Sequence, residues 1–259
     1  LSEKNNVTIN NWTNHKYKEL FNKISKKYFF SHYNNYFKKK IIHQTAPIFS
    51  GKNITTDLVI SNIAPKGFEK ETVPFKITCR IIDTNGNLLS RNNYYLQTNK
   101  RLIIPLNKKN NGPIKTDGSV WLKMMPLAGG YLGLTRPHIR VSAKDSISSI
   151  HLQHGRRKGT SIETSFLNKN ETQYLSVVNL EKKIVNLVVK IANKIKILQE
   201  LTINIQPLES KIVNLTQMYK MIKNNNDIYN KLILDHKGLL RRNIIIYNNI
   251  PEIISIDHI

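Results

Sequence analysis

The sequence predicts an α+β fold, in which a β-rich, basic N-terminal extension precedes a C-terminal unit of strands and one helix. Short β-branched runs separated by turn residues fill residues 46–170, as is typical of strands. Between Glu181 and Glu200, by contrast, apolar residues recur at helical spacing. We therefore divide the chain into a helical arm over residues 1–45, the β-rich extension, and a C-terminal domain over residues 171–259.

The arm is basic and aromatic, with nine lysines against two glutamates in residues 1–45. Apolar and aromatic side chains at helical spacing predict a helix within residues 15–40. Lysines interleaved with aromatic residues can neutralise phosphates and stack on bases. An amphipathic helix packed on a neighbour would show the same pattern, and both interpretations stay open.

Three strands are predicted in the extension, at Asp57–Ile60, Pro74–Ile82 and Arg101–Leu106. The turn sequence Asp83–Asn87 separates two apolar runs and predicts a hairpin. Cys79 is the chain's single cysteine, so neither an internal disulfide nor a cysteine-rich zinc cluster can form. Its apolar surroundings predict a buried core position.

The strongest compositional signal is charge, with 40 Lys and Arg against 17 Asp and Glu, or +23 net. A net charge of roughly 2–8 is enough to keep a small domain soluble, so the additional positive charge of this chain predicts a polyanionic partner. Arginine pairs fork well over phosphate oxygens. In the extension, the predicted RNA-binding residues are Arg136, Arg140, Lys144, Arg156, Arg157 and Lys158.

The C-terminal domain is expected to contain four strands around the Glu181–Glu200 helix, with no internal repeat visible in the sequence. The strands are predicted at Gln173–Val178, Leu201–Ile205, Lys231–Leu234 and Ile253–Ile256. A long basic loop is predicted from Val213 to Asn230.

Three blocks of this domain resemble the small-subunit ribosomal protein ten family. The blocks are Lys190-Ile191 in the expected helix, Pro207-Leu208-Glu209-Ser210-Lys211-Ile212 after a strand, and His236-Lys237-Gly238-Leu239-Leu240. The sequence departs from the family where Glu209 replaces a proline, Ser210 a threonine and Gly238 an arginine. The stretch from His236 to Pro251 is also shorter than is usual in the family. The resemblance covers about a third of the chain.

This resemblance implies a ferredoxin-like split β-α-β unit in the head of a small ribosomal subunit. The Val213–Asn230 loop would then be an extended hairpin held by rRNA and neighbouring head proteins, and any second helix would be at most about two turns long. The positions implied to bind RNA are Lys211, Lys220, Lys223, His236 and Lys237, followed by Arg241 and Arg242.

The expected function is that of a structural, rRNA-binding constituent of the mitochondrial small ribosomal subunit. The abundance of Lys, Asn and Ile indicates AT-rich codons, which suits an organelle gene and a matrix location. Leu1 fits either a non-standard start codon or a trimmed end. The alternative is a basic accessory subunit of a respiratory-chain or other membrane-associated organelle complex without RNA contact.

An enzyme is not expected, because no paired carboxylates, metal-ligand spacing or nucleophile motif stands out. His138, His151 and His154 lack carboxylates or thiols at zinc-site spacing. We therefore predict no catalytic residue, metal, cofactor or small-molecule substrate. No apolar stretch approaches the roughly 18 residues of a membrane-spanning helix.

Overall fold

A computed structural model describes most of the chain beyond residue 41. The described residues are 42–50, 53–64, 66, 69–70, 72–107, 117–127, 137–153, 155–165, 171–220, 229–249 and 252–259. The helix predicted within residues 15–40 lies outside them.

The described residues form fifteen strands and one short helix. The first eight strands are β1 (Ile42–Ile48), β2 (Thr55–Asn62), β3 (Phe75–Asp83), β4 (Leu88–Leu96), β5 (Lys100–Pro105), β6 (Gly118–Pro126), β7 (His138–Ser142) and β8 (Ile147–His151). The remaining elements are β9 (Arg156–Ser165), β10 (Glu171–Asn179), β11 (Val185–Ala192), β12 (Ile197–Ile205), β13 (Ser210–Asn214), α1 (Leu215–Lys220), β14 (Tyr229–Asn249) and β15 (Glu252–His258).

The predicted α+β class is therefore wrong, and the ferredoxin-like unit is absent. Residues 181–200, predicted as a helix, form most of the antiparallel hairpin β11–β12. Many of its apolar residues are β-branched and also alternate with period two, so that Val185, Leu187 and Val189 are buried on one face. Ile195, one of the apolar residues that match helical spacing between Glu181 and Glu200, is 89% exposed in the hairpin turn.

That turn is closed by Asn193. Its Oδ1 accepts hydrogen bonds from the backbone N–H groups of Ile195 and Lys196, at 2.9 and 2.8 Å. An asparagine that bonds its own following backbone competes with helix formation, so it favours the turn that interrupts the predicted helix.

The predicted Val213–Asn230 hairpin is also corrected, as far as it is described. Residues 215–220 form α1, and residues 221–228 lie outside the described residues. Asn214 Oδ1 accepts the N–H of Gln217 at 3.0 Å and so caps the helix. Leu215 and Met218 are buried in the chain's own core, so they need no partner protein to cover them. The stretch from His236 to Asn249 is strand, which leaves no second helix there.

Several local predictions are confirmed. Strands cover the segments predicted at Asp57–Ile60, Gln173–Val178 and Ile253–Ile256. The Asp83–Asn87 hairpin is present, with Asp83 Oδ1 accepting the backbone N–H groups of Asn85 and Asn87 at 2.9 and 2.8 Å. Cys79 is buried, and burial raises its pKa to about 12.

The strands form two topologically equivalent repeats, which the sequence analysis missed. In the first repeat, residues 42–151, one sheet has the order β1-β6-β3-β4 and the other β5-β2-β7-β8. The second repeat spans residues 156–258. In its first sheet, β9 corresponds to β1, β11 to β3 and β12 to β4. In its second sheet, β13 corresponds to β5, β10 to β2 and β15 to β8. Strand β9 precedes the division predicted at residue 170.

The 21-residue strand β14 corresponds to β6 and β7 run together. Its first half pairs with β11 and β9, as β6 pairs with β3 and β1. Its second half pairs with β10 and β15, as β7 pairs with β2 and β8. The long connection between β6 and β7 is lost in the second repeat, so one continuous strand joins its two sheets.

Two apolar cores hold the repeats. The first contains Phe75, Leu122 and Ile139, and the second contains Leu187, Leu234 and Ile244. Ile254 and Ile256 of the second repeat belong to the first core, so the two repeats pack together through a shared apolar layer. The hydroxyls of Ser146 and Ser148 accept the β15 backbone N–H groups at 2.7 and 3.2 Å along that contact.

Candidate nucleic-acid interface

Two basic segments that are far apart in sequence lie side by side on strands β9 and β14. In their register Lys158 is opposite Lys237, and Arg156 is opposite Leu240. Arg156, Arg157, Lys158 and Lys237 are all exposed. Like charges directly opposite each other on neighbouring strands are destabilising. The pairing therefore concentrates positive charge along these two strands at a cost to the isolated protein.

Two glycines hold the basic part of β9 against β14. Gly155 and Gly159 flank Arg156-Arg157-Lys158. A Cβ at Gly155 would lie 2.7 Å from the carbonyl oxygen of Leu240, and one at Gly159 would clash with that of Leu234. Only glycine allows this close backbone approach. The chain thus presses the three cations onto the part of β14 that carries Lys237.

The turn between β10 and β11 adds two lysines beside these residues. Leu180 donates its N–H to the carbonyl of Leu239 at 2.9 Å, and Leu239 donates its own to Glu181 Oε1 at 2.8 Å. These bonds fix the turn to β14 and leave Lys182 and Lys183 exposed. We call the resulting surface the basic strip, which consists of Arg156, Arg157, Lys158, Lys182, Lys183 and Lys237.

Two carboxylates accompany the six cations. The Glu181 pKa is lowered, first by the Leu239 N–H and then by Lys183, whose Nζ lies 3.5 Å away, with a further effect of Arg157. Asp235 is exposed on the same face of β14 as Lys237. Glu181 is ion-paired with both Lys183 and Arg157, but six cations against two carboxylates still leave the strip positively charged.

Three predicted RNA-binding residues are buried rather than on the strip. His236, Arg241 and Arg242 are 4%, 3% and 1% exposed. Arg241 donates to Gln153 Oε1 at 3.4 Å and to the His151 carbonyl at 3.3 Å. Burial and the nearby charge of Arg156 lower the pKa of both arginines to about 10.

Arg242 and His236 face the second apolar core together. Arg242 Nη1 donates to His236 Nε2 at 3.2 Å, and His236 Nδ1 donates to the Gly238 carbonyl at 3.0 Å. Both bonds suit a neutral imidazole, and burial followed by the Arg242 charge lowers the His236 pKa. Within the described part of the chain, Nε and Nη2 of Arg242 have no hydrogen-bond partner.

The other predicted positions are scattered. Arg140 pairs with Asp57 at 2.6 Å, and Lys211 pairs with Glu209 at 2.6 Å, so both are already neutralised. Lys144 and Lys220 are exposed outside the basic strip. Arg136 and Lys223 lie outside the described residues.

Sequence reasoning missed Lys182 and Lys183, because it assigned them to the helix that does not form. Their signal was the polar run Glu181-Lys182-Lys183 between two apolar segments, which is a turn pattern as well as a helix start.

The described residues contain no group of three or more His, Cys, Asp or Glu side chains arranged to hold a metal. They also contain no helix of the length and apolarity that a membrane crossing requires.

No family model matches the chain. No curated protein matches it either.

Proposed function

We propose that this chain is a non-catalytic protein that binds the phosphate backbone of RNA through the basic strip. The observation that carries the proposal is that Lys158 and Lys237 lie directly opposite each other on paired strands. They belong to a group of six exposed cations that has only two carboxylates beside it. A folded protein gains nothing from this arrangement in isolation. A row of phosphates relieves the repulsion and releases its own counterions on binding.

The geometry of the strip suits an extended polyanion better than a single small anion. Neighbouring strands lie about 4.8 Å apart, and alternate residues along one strand lie about 6.6 Å apart. The strip spans β9, β14 and the β10–β11 turn, so its cations are spread over several such steps. An RNA backbone can contact them in succession, whereas one phosphate ion can reach only two or three.

We propose the mitochondrial small ribosomal subunit as the setting of this RNA binding. The net charge of +23 and the Lys, Asn and Ile bias support that setting. The helix that was part of the resemblance to the ribosomal protein ten family is replaced by the β11–β12 hairpin, so the setting rests on charge and composition rather than on fold.

The binding test compares two variants of equal charge. The strip variant replaces Arg156, Arg157, Lys158 and Lys237 with glutamine. The control replaces four exposed lysines elsewhere with glutamine, namely Lys66, Lys70, Lys194 and Lys196. At low salt we expect the strip variant to lose at least tenfold more affinity for RNA than the control. Equal losses would show that net charge alone drives binding and would contradict the proposal.

The setting is tested separately by sedimentation of the tagged full-length chain from an organelle lysate. Co-migration with the small ribosomal subunit, lost after ribonuclease treatment, is the expected result. Migration with a respiratory complex, unaffected by ribonuclease, would contradict it.

A further inference from the structure

The first repeat has a partly exposed sheet face that carries cations and aromatic rings and lies on other strands than the basic strip. Residues alternate across each strand of the sheet β1-β6-β3-β4, so that Ile77 and Cys79 point into the core. Lys76 and Arg80, between them in sequence, point to the opposite side. On this side Arg80 of β3 and Arg91 and Tyr95 of β4 are exposed, whereas Thr78 and Ile82 are buried.

The register places the side chains of this face in rows. Arg80 lies between Arg91 of β4 and Trp121 of β6, and Lys76 lies beside Tyr95 of β4. Lys123 of β6 is opposite Thr78, in the row between them. We call the six residues Lys76, Arg80, Arg91, Tyr95, Trp121 and Lys123 the platform.

The platform is positively charged and has no carboxylate. The other positions that β3, β4 and β6 place in its three rows are Thr78, Asn93 and Met125. Strand β1 adds Thr45 and His43, so these rows hold four cations and no carboxylate. Arg80 and Arg91 are directly opposite and both exposed, which repeats the like-charge opposition of the basic strip. None of the four cations forms an ion pair with a carboxylate of the described residues.

The aromatic residues are available for stacking. Tyr95 is 61% exposed, with the Lys76 ammonium 5.9 Å from its ring centroid. Trp121 is half-buried, and its indole N–H donates to the Ser119 hydroxyl at 2.9 Å, which fixes the ring on the sheet. Aromatic rings on a sheet surface can stack on unpaired bases, while nearby cations contact the phosphates between them.

From this juxtaposition we propose that the platform binds single-stranded RNA by stacking unpaired bases on Tyr95 and Trp121. The proposal deepens the proposed function, since it names the class of RNA, and it rests on RNA being the partner. A duplex hides its bases, so it can use the basic strip but not the aromatic part of the platform. The two surfaces therefore divide backbone contact from base contact.

The test uses the full chain with Trp12→Phe, which leaves Trp121 as its single tryptophan. The probes are a 12-nucleotide oligouridine and an abasic strand of the same length and charge. Oligouridine is expected to quench Trp121 fluorescence and to bind at least five times more tightly than the abasic strand. Equal affinity for both strands, without quenching, overturns the platform and leaves the basic strip untouched.

Variants of Tyr95 separate stacking from charge. Tyr95→Leu is expected to weaken oligouridine binding by about 5- to 100-fold with an unchanged salt slope, since one stacked base is lost. Tyr95→Phe keeps the ring and is expected to bind as the parent does. Ile147→Ala, at an exposed apolar position elsewhere, is the matched control. A Tyr95→Leu protein that binds like Ile147→Ala overturns the proposal.

Two further measurements separate this proposal from its alternatives. Quenching by oligouridine that persists in the strip variant supports the platform even if the strip itself binds no RNA. Quenching by vesicles containing phosphatidylserine, with none by oligouridine, would show that the face meets a lipid surface and would overturn base stacking.

Discussion

Asn62 and Asn179 occupy equivalent positions in the two repeats, and each ties together three strands from a fully buried site. Asn62 Nδ2 donates to the Val73 carbonyl at 3.0 Å and to that of Leu96 at 3.5 Å. Asn179 Nδ2 donates to the carbonyls of Lys183 and Ile205 at 2.8 and 2.9 Å. Each asparagine thus joins the end of one strand to the start and the finish of the neighbouring hairpin.

Loss of the Asn179 side chain should therefore destabilise the second repeat strongly. Its amide also donates to the Gln206 carbonyl at 3.0 Å, and its Oδ1 accepts the Glu181 N–H at 2.8 Å. Asn179→Ala leaves several buried groups unsatisfied, so we expect a loss of about 2–4 kcal/mol in the free energy of unfolding. Urea denaturation measures it.

The control for that variant is Asn186→Ala, an exposed position on β11. We expect it to change stability by less than about 0.5 kcal/mol. Asn62→Ala should fall between the two, because one of its hydrogen bonds is long. If Asn179→Ala is as stable as Asn186→Ala, the hydrogen bonds of the buried Asn179 amide do not stabilise the second repeat as its geometry indicates.

A substitution at Leu208 should stabilise the protein, because the equivalent position of the first repeat carries an asparagine, Asn99. Leu208 and Asn99 have positive φ angles of 64° and 58°. Leu208 precedes Glu209, whose carbonyl accepts the N–H of Asn179, and Asn99 precedes Lys100, which pairs with Asn62. A leucine is strained there, whereas asparagine tolerates the conformation. We expect Leu208→Asn to stabilise the protein by about 0.5–1 kcal/mol, and Leu208→Val to destabilise it. A thermal melt in which the asparagine variant unfolds earlier would argue against the equivalence of the two sites.

The same comparison explains what the sequence could and could not predict. The Asp83–Asn87 hairpin was found because its asparagine and glycine mark a turn between two apolar runs. The equivalent turn Asn193–Lys196 lacks a glycine and carries Ile195, so the apolar residues around it also matched a helix. Local spacing could not decide between the two structures, and the antiparallel partner β14 decides in favour of the hairpin.

For a similar reason, the cations of the candidate site could be predicted from the sequence but their positions relative to one another could not. Arg156, Arg157, Lys158 and Lys237 stood out as cations in sequence. That Lys158 lies opposite Lys237 follows from long-range pairing of β9 with β14. Burial of Arg241 and Arg242 likewise reflects long-range pairing, in this case of β14 with β10.

His236 should make the protein sensitive to mild acid. Its pKa is lowered from the ordinary value of 6.5, chiefly by burial and then by Arg242. The unfolded chain therefore binds a proton at a higher pH than the folded protein does. Stability should be complete above about pH 7 and should fall as the pH drops below 6.5, by at most about 1.4 kcal/mol per unit from this group.

The variant that isolates this effect is His236→Met, which copies Met124 from the equivalent position of the first repeat. We expect the pH dependence between about 7 and 5 to flatten in this variant, because the titrating group is gone. Urea denaturation at several pH values measures the slope. An unchanged slope in His236→Met would assign the acid sensitivity to other groups.

Arg242 should be replaceable by an apolar residue without loss of stability. Its charge is buried without a carboxylate partner among the described residues, so desolvation is offset only by the contact with His236. We expect Arg242→Met to be neutral or to stabilise the protein by about 1–3 kcal/mol.

The neighbouring Arg241→Met is the matched comparison. Arg241 donates to the His151 carbonyl and to Gln153, so its removal should cost about 1–3 kcal/mol. Calorimetric melts of the two variants give the comparison. Equal destabilisation by both substitutions would mean that Arg242 has a partner that offsets its burial.

The salt dependence of RNA binding tests the central claim most directly. The logarithm of the association constant for single-stranded RNA should fall linearly with the logarithm of salt concentration, with a slope of about 0.7 for each phosphate contact. Removing four cations in the strip variant should reduce the slope by up to about 3, while the variant with four lysines removed elsewhere should keep it. Identical slopes for the parent, strip and control proteins would contradict phosphate binding by the strip.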